Sequence, residues 1–236
     1  MSGDLVLLHG FTQTGRSWAR VREALGERYR CFAPDLPGHG DADGRRPATF
    51  DAVAAYVGAL KPDRFALCGY SMGGRLALEC ALRMPARVQR LVLVGASPGI
   101  ADDAERARRK RADDALADRI EAEGLDAFVA EWGAQPLFAG QPRGIAELAR
   151  EDRLRSTAPG LAAALRGMGT GVMTPLWDRL GELAMPVTLV TGEHDEKFRA
   201  TAERMAAAIP DARLVVATGA GHAVHLEAPE AIAEAL

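Results

Sequence analysis

Gly69-Tyr70-Ser71-Met72-Gly73 is the stretch that decides the fold of this chain. It follows an apolar run at residues 65–68 and precedes residues 75–82, where apolar side chains recur at helical spacing. A serine between two glycines at a strand-to-helix junction predicts a nucleophile elbow, a sharp turn that projects a hydroxyl above the sheet. Glycine is needed on both sides because a Cβ there would collide with the adjoining strand or helix. Taken alone, the motif also fits an ordinary glycine-rich turn.

Length and composition narrow the class of protein. The chain has 236 residues, 48% of them hydrophobic and 26% charged, which is typical of one soluble domain with room for an insertion. Its formal net charge is −3 and its pI is about 6.0, so no basic field favours nucleic acid. We see no signal peptide and no apolar stretch long enough to span a membrane, and the three cysteines fit no metal site. These features predict a cytoplasmic protein without membrane insertion.

Short apolar runs alternate with helical patterns over most of the chain. A run that is apolar on both faces is typical of a strand buried inside a parallel sheet. Strands that alternate with helices indicate βαβ units. The sequence therefore predicts an α/β protein with a mostly parallel central sheet flanked by helices, and the strand runs lie at residues 5–8, 29–33, 65–68, 88–94, 186–191 and 212–217.

The alternation stops between residues 100 and 183. Four helical patterns follow one another there without an intervening strand, at residues 102–123, 125–132, 144–153 and 159–168. This insertion follows the fourth strand, at the carboxyl edge of the sheet, where open α/β sheets bind ligands. We therefore predict a core formed by residues 1–99 and 184–236, and a helical cap formed by residues 100–183.

Two further residues complete a catalytic pattern with Ser71. A serine hydroxyl needs an imidazole as its base, and the imidazole needs a carboxylate that fixes its tautomer and stabilises its charged form. Asp195 follows one predicted strand and His222 follows the next, so both should lie at the same sheet edge as Ser71. The chain order serine, aspartate, histidine is that of the α/β-hydrolases. Less well placed alternatives for the histidine or the acid are His194, His225, Asp35 and Asp211.

The loop after the first strand contains a second candidate part of the catalytic site. His9-Gly10-Phe11 can fold over the serine, so that the backbone N–H groups of Phe11 and Met72 form an oxyanion hole. The alternative is a simple turn at the strand exit. No G-x-G-x-x-G follows a strand, and no zinc, iron or P-loop pattern is visible, so we predict neither a cofactor nor a metal.

Several motifs together resemble one family. Within the α/β-hydrolase superfamily, the chain resembles the 2-succinyl-6-hydroxy-2,4-cyclohexadiene-1-carboxylate synthases of menaquinone biosynthesis. The resemblance covers nearly the whole chain and rests on residues 34–40, 69–75, 134–138, 154–156 and 195–199. It implies a lyase that uses Ser71, Asp195 and His222 to abstract a proton and release pyruvate. It also implies a substrate with several carboxylates, bound by arginines.

The residues themselves favour a small anionic substrate. Arg75 lies one helical turn beyond Ser71, Arg109 belongs to a cationic stretch at 105–111, and Arg155 lies on a later cap helix. Guanidinium groups that converge on a serine favour carboxylate binding, although solvated helix charge is the alternative. Trp132 and Phe138 are candidates for lining the cavity or for the core of the cap. Tyr70 is a candidate for hydrogen bonding to substrate or for packing.

Three classes of function stay open at this point. The first is the lyase, which eliminates pyruvate from 2-succinyl-5-enolpyruvyl-6-hydroxy-3-cyclohexene-1-carboxylate. The second is a carboxylesterase or other acyl hydrolase that uses the same residues. The third is a ligand-binding receptor on a hydrolase fold, which the complete set of catalytic residues disfavours. Ser71 also argues against dehalogenases and epoxide hydrolases, which use an aspartate nucleophile. The oligomeric state is not predicted.

Overall fold

The computed structural model describes residues 3–60 and 62–236. Its described residues form a six-stranded sheet in the order β2-β1-β3-β4-β5-β6, and every neighbouring pair is parallel. The order places β3, which feeds the nucleophile turn, inside the sheet. The strands are β1 (Gly3–Leu8), β2 (Tyr29–Phe32), β3 (Phe65–Tyr70), β4 (Val88–Val94), β5 (Val187–Gly192) and β6 (Ala212–Ala217).

Helices connect these strands and cover both faces of the sheet. They are α1 (Ala19–Leu25), α2 (Phe50–Ala59), α3 (Met72–Arg83), α4 (Asp103–Glu123), α5 (Leu125–Gly133), α6 (Arg143–Arg153), α7 (Ala158–Met168), α8 (Glu196–Ala208), α9 (Val224–Glu227) and α10 (Pro229–Ala235). Short 3-10 turns occupy Gly15–Trp18, Gly26–Arg28, Gly40–Ala42, Pro136–Phe138 and Trp177–Glu182. In the described part of the chain, no helix combines the length and the apolar character that crossing a bilayer would need.

The apolar runs are explained by burial on both faces of the sheet. Successive side chains of a strand point to opposite faces. In β1, Val6 and Leu8 therefore join one core cluster, whereas Leu5 and Leu7 join the cluster on the other face. Every residue of β3 is buried, as a central parallel strand requires. The predicted α/β architecture and its strand positions are confirmed.

The segment between β4 and β5 is helical. The four predicted helices correspond to α4–α7, with ends that differ by one residue, and the described segment contains no strand. Three of these helices, α4, α5 and α7, share a small apolar cluster that includes Ile120, Phe128 and Leu161, whereas Ala149 of α6 packs with a core cluster of the sheet. That cluster favours the division into a core and a cap at residues 100–183, which stays a prediction. Met1, Ser2 and Lys61, which belong to the predicted core, lie outside the described residues.

Candidate active site

The backbone of Ser71 is bent as a nucleophile turn requires. Ser71 lies between the end of β3 and the start of α3 with φ of 51° and ψ of −108°, a left-handed φ that few non-glycine residues adopt. The flanking glycines are needed for close approach. A Cβ on Gly69 would lie 2.2 Å from the carbonyl oxygen of Gly73, and one on Gly73 would lie 2.0 Å from that of Leu8. The turn therefore holds the Ser71 hydroxyl at the carboxyl end of the sheet.

The three predicted catalytic side chains are brought together at this edge. The Ser71 Oγ lies 3.2 Å from the His222 Nε2, and the His222 Nδ1 lies 2.6 Å from the Asp195 Oδ2. His222 and Asp195 are only 2% and 6% exposed. The buried carboxylate favours the tautomer with a proton on Nδ1, which leaves Nε2 to accept the Ser71 proton. Asp195 also accepts a bond from the backbone N–H of Phe198 at the start of α8, which orients it.

Aromatic rings enclose the His222 imidazole. The ring centroids of Phe198 and Tyr70 lie 4.5 Å and 5.2 Å from that of His222, and the Phe138 centroid lies at 6.4 Å. Behind Tyr70, the buried His225 ring lies at 4.0 Å. Burial holds the pKa of His225 well below its ordinary value, so this histidine is neutral. The imidazole of His222 is thus surrounded largely by aromatic rings, and Asp195 is its charged partner.

The two residues of the predicted oxyanion hole lie at the cavity of Ser71. Phe11 and Met72 line the same cavity as Ser71 and His222. Within residues 3–60 and 62–236, neither of their N–H groups has a hydrogen-bond acceptor. The Phe11 amide belongs to residues 9–14, hereafter the oxyanion loop, in which buried Thr12 has a left-handed φ of 72°. Amides without an acceptor beside a serine are what an oxyanion hole requires, and the oxyanion hole at Phe11 and Met72 stays a prediction.

The cavity at Ser71 has a volume of about 280 Å³. It lies between the sheet edge and the helical segment, since α4, α5 and α7 contribute to its walls. Its apolar surface comes from Trp132, Leu165, Met168 and Phe198, among others, and its cationic groups are Arg75, Arg109 and Lys197. A concave site with few charged groups of one sign is suited to a small anionic molecule.

Arg75 carries a charge without a carboxylate partner in the described residues. One of its terminal nitrogens donates to the carbonyl oxygen of Met168 at 2.9 Å, while its buried Nε has no partner. Burial, together with the nearby Arg109, lowers the pKa of Arg75 to about 10, so it remains charged at neutral pH. Arg109 is different, because it pairs with buried Asp113 at 2.7 Å. Although Asp113 is near enough to raise the pKa of Arg75 in part, the guanidinium has no ion pair of its own among the described residues and is a candidate site for an anion.

The other predicted binding residues lie in different places. Trp132 lines the cavity, whereas Phe138 is not among the residues that line it and lies beside the His222 ring instead. Tyr70 is 3% exposed and packs between His222 and His225, away from the cavity walls. Arg155 is exposed and lines a separate surface cleft with Asp152, so the structure does not bring it to Ser71.

Sequence reasoning missed three residues near the site. Lys197 and Phe198 line the cavity from the first turn of α8, directly after Asp195, and that position is the signal that could have found them. Arg153 is buried, and its guanidinium lies 4.8 Å from the centre of the Phe138 ring. Burial lowers the pKa of Arg153, and the Tyr70 hydroxyl is among the groups near it. Arg153 therefore contacts the aromatic rings around His222 through Phe138, although it lines a different cleft from the cavity of Ser71.

Two further histidines near Ser71 have structural partners. His9 accepts the backbone N–H of Leu36 through Nε2 at 2.9 Å, and His39 accepts that of Thr12 at 3.3 Å. Burial lowers their pKa values to about 4 and about 3, so both are neutral at physiological pH. Among the described residues, no three His, Cys, Asp or Glu side chains are grouped as a metal site requires.

Comparison with known proteins gives a consistent picture. The model of the alpha/beta hydrolase family matches residues 5–235. A protein of Bacillus subtilis (strain 168), provisionally named 2-succinyl-6-hydroxy-2,4-cyclohexadiene-1-carboxylate synthase, is 42% identical over 97% of this chain and 86% of its own. The synthase of that name from Escherichia coli O1:K1 is 34% identical over 98% of this chain and 91% of its own. The solved structure of MenH from S. aureus superposes with a TM-score of 0.91 at 33% identity, covering 98% of this chain and 91% of that one.

Proposed function

Since the chain belongs to the alpha/beta hydrolase family and, within it, to the 2-succinyl-6-hydroxy-2,4-cyclohexadiene-1-carboxylate synthases, we propose that it is the lyase of that name. Its substrate is 2-succinyl-5-enolpyruvyl-6-hydroxy-3-cyclohexene-1-carboxylate, and its products are the cyclohexadiene and pyruvate. This places the protein in menaquinone biosynthesis.

The observation that carries the proposal is the unpaired guanidinium of Arg75 in the cavity of Ser71. An enzyme for neutral esters is expected to present an apolar acyl pocket, where a buried charge without a partner would be costly. A substrate with three carboxylates supplies the missing partners. Arg109 and Lys197 line the same cavity, and Arg153 adds positive potential from behind Phe138. The charge of the site therefore matches a polycarboxylate better than an ester.

The reaction follows from the chemical structures of the substrate and the ring product, as their names define them. The ring carbon that carries the succinyl group loses a proton, which is acidic because it lies next to the succinyl carbonyl. The electron pair forms the new double bond to the neighbouring ring carbon, and the existing double bond shifts by one position. The bond between ring carbon 5 and the enolpyruvyl oxygen then breaks. The departing enolpyruvate takes up a proton and becomes pyruvate, so atoms and electrons balance without an oxidant.

Each residue has one task in this reaction. His222 takes the Ser71 proton, Asp195 stabilises the imidazolium that results, and the Ser71 oxygen removes the proton from the substrate. The amides of Phe11 and Met72 bind the oxygen of the succinyl carbonyl as it gains charge in the enolate. Arg75 binds a carboxylate and holds the substrate against Ser71.

A coupled assay tests the proposal. Pyruvate release from the enolpyruvyl substrate is followed through lactate dehydrogenase and NADH, with the ring product identified by mass spectrometry. We expect one pyruvate per substrate consumed and an intact succinyl chain in the product. An enzyme that releases no pyruvate but hydrolyses small esters would instead be the acyl hydrolase that uses the same three residues.

A further inference from the structure

The oxyanion loop contacts the helical segment in two ways: the Phe11 ring packs on Trp132 and Phe128 of α5, and a carboxylate of α6 accepts hydrogen bonds from the loop. Asp152, near the end of α6, accepts two hydrogen bonds from Thr14, one from its backbone N–H at 2.9 Å and one from its hydroxyl at 2.5 Å. Thr14 is fully buried and Asp152 is largely so. Hydrogen bonds to a charged acceptor in such surroundings are among the stronger ones. Thr14 ends the loop whose Phe11 lines the cavity of Ser71.

The remaining side-chain anchors of this loop are neutral. Thr12 donates its N–H to His39, and Gln13 accepts a bond from His225 at 3.0 Å. Both histidines are uncharged because burial depresses their pKa values. Within residues 3–60 and 62–236, Asp152 is thus the charged side chain that holds the loop, and it belongs to the predicted cap. Asp152 of α6 thus fixes the far end of the loop by hydrogen bonds, while the Phe11 ring packs on α5.

The next residue on α6 links the same helix to the catalytic centre. Successive helical residues point about 100° apart, so Asp152 and its neighbour reach different groups. Arg153 lies over the Phe138 ring, and Phe138 borders His222. The last turn of α6 therefore contacts both the oxyanion loop and one of the aromatic rings around His222.

We propose that Asp152 is a positioning residue, which fixes the position of the Phe11 amide through Thr14. The geometry of the oxyanion hole then depends on the position of α6. The proposal rests on the proposed function for its kinetic readout. A loop that is strained at Thr12 needs such an anchor, since strained backbone persists only where its surroundings hold it. A misplaced donor weakens binding of the transition state more than binding of the substrate, so loss of the anchor lowers kcat and leaves KM nearly unchanged.

The test uses Asp152→Asn, in which one of the two acceptor oxygens becomes a donor that faces Thr14. We expect kcat for pyruvate release to fall about 10- to 100-fold, the scale of an ångström-sized misplacement, with KM changed less than about threefold. Thr14→Val should also lower kcat, whereas Thr14→Ser, which keeps the hydroxyl, should have a kcat close to that of the wild type. The double variant Asp152→Asn/Thr14→Val should have nearly the same kcat as Asp152→Asn alone. Asp43→Asn is the matched control, because Asp43 accepts a similar bond from Thr157 of the helical segment at 2.6 Å, away from the oxyanion loop.

Amide hydrogen exchange supplies a readout that does not depend on turnover. Exchange of the backbone amides at residues 11–14 should speed up in Asp152→Asn and in Thr14→Val, and stay unchanged in Asp43→Asn. Exchange at residues 11–14 that is the same in the variants as in the wild type would overturn the positioning role. If the wild type releases pyruvate, an Asp152→Asn kcat equal to that of the wild type would overturn it as well. A wild type that releases no pyruvate would defeat the proposed function alone, and the exchange measurement would still decide whether Asp152 holds the loop. If Asp152→Asn fails to fold, Thr14→Val and Thr14→Ser carry the same comparison.

Discussion

Arg75 and Met168 are joined by a hydrogen bond of 2.9 Å, from a terminal nitrogen of the guanidinium to the carbonyl oxygen. Met168 is the last residue of α7, where the free carbonyl groups of a helix carry partial negative charge. The bond fixes the guanidinium one turn beyond Ser71. It uses one of five donors and leaves the side chain free to bind a carboxylate of the substrate.

Arg75→Met should weaken use of the natural substrate far more than use of a neutral ester. Removing one partner of a buried charge pair costs about 2–4 kcal/mol, so kcat/KM for pyruvate release should fall by about 30- to 1,000-fold. Arg143→Met is the control, because the Arg143 side chain is 93% exposed on α6 and its ion pair among the described residues is with Glu147. Equal losses on a 4-nitrophenyl ester and on the natural substrate would indicate damage to the fold and contradict the carboxylate role.

Ser71→Ala should fold normally and lose nearly all activity. The change removes one hydroxyl at a cavity wall and no core volume, although alanine must adopt the same left-handed φ as Ser71. Loss of a residue of such a triad costs several orders of magnitude in kcat. Thermal unfolding followed by circular dichroism checks the fold. A variant that keeps more than about a tenth of the wild-type rate would show that another group removes the proton.

Arg153 and Arg155 should behave differently although they lie two residues apart. Arg153 is buried near Tyr70 and Phe138, whereas Arg155 is exposed in another cleft. We expect Arg153→Met to lower kcat/KM for pyruvate release by about tenfold or more, the effect of losing about 1.4 kcal/mol of electrostatic attraction in a buried site. Arg155→Met should change it less than about threefold. The reverse order, measured side by side, would mean that Arg155 reaches the substrate.

The natural reaction should proceed without an acyl-enzyme. In a hydrolase, the oxygen held by the Phe11 and Met72 amides belongs to a tetrahedral adduct, and Ser71 becomes acylated. In the lyase that oxygen belongs to an enolate, and Ser71 acts as a base. Rapid-quench mass spectrometry on the natural substrate should find the mass of the unmodified protein throughout turnover. An adduct on Ser71 that forms and decays at the turnover rate would favour the esterase instead.

The residues whose roles follow from local pattern could be found from the sequence. Ser71, Asp195 and His222 each follow a strand of a parallel sheet, and parallel strands end at one edge, so topology alone predicts that they meet. Tyr70 could not be placed in the same way. It is the last residue of β3, and the contacts of its ring with His222 and His225 depend on elements more than 150 residues away.

Arg155 shows a second limit of sequence reasoning. A helical pattern at residues 144–153 predicts which side chains share a face only while the helix continues. α6 ends at Arg153, and beyond that point the direction of a side chain is set by packing rather than by period. The buried position therefore goes to Arg153, although both residues are arginines. Asp152 escaped notice for a related reason, since nothing local to it indicates a partner 138 residues away.

The aromatic enclosure of His222 also has a consequence for where the substrate's proton travels. In the proposed mechanism the substrate's proton is taken up by the Ser71 oxygen, which contacts the enclosed His222 imidazole, while His225 behind Tyr70 is held neutral by burial. Exchange of that proton with bulk water is therefore expected to be slow as long as the cavity is filled. In deuterium oxide, part of the hydrogen that leaves the ring should then reappear in the methyl group of pyruvate, carried there within one active site.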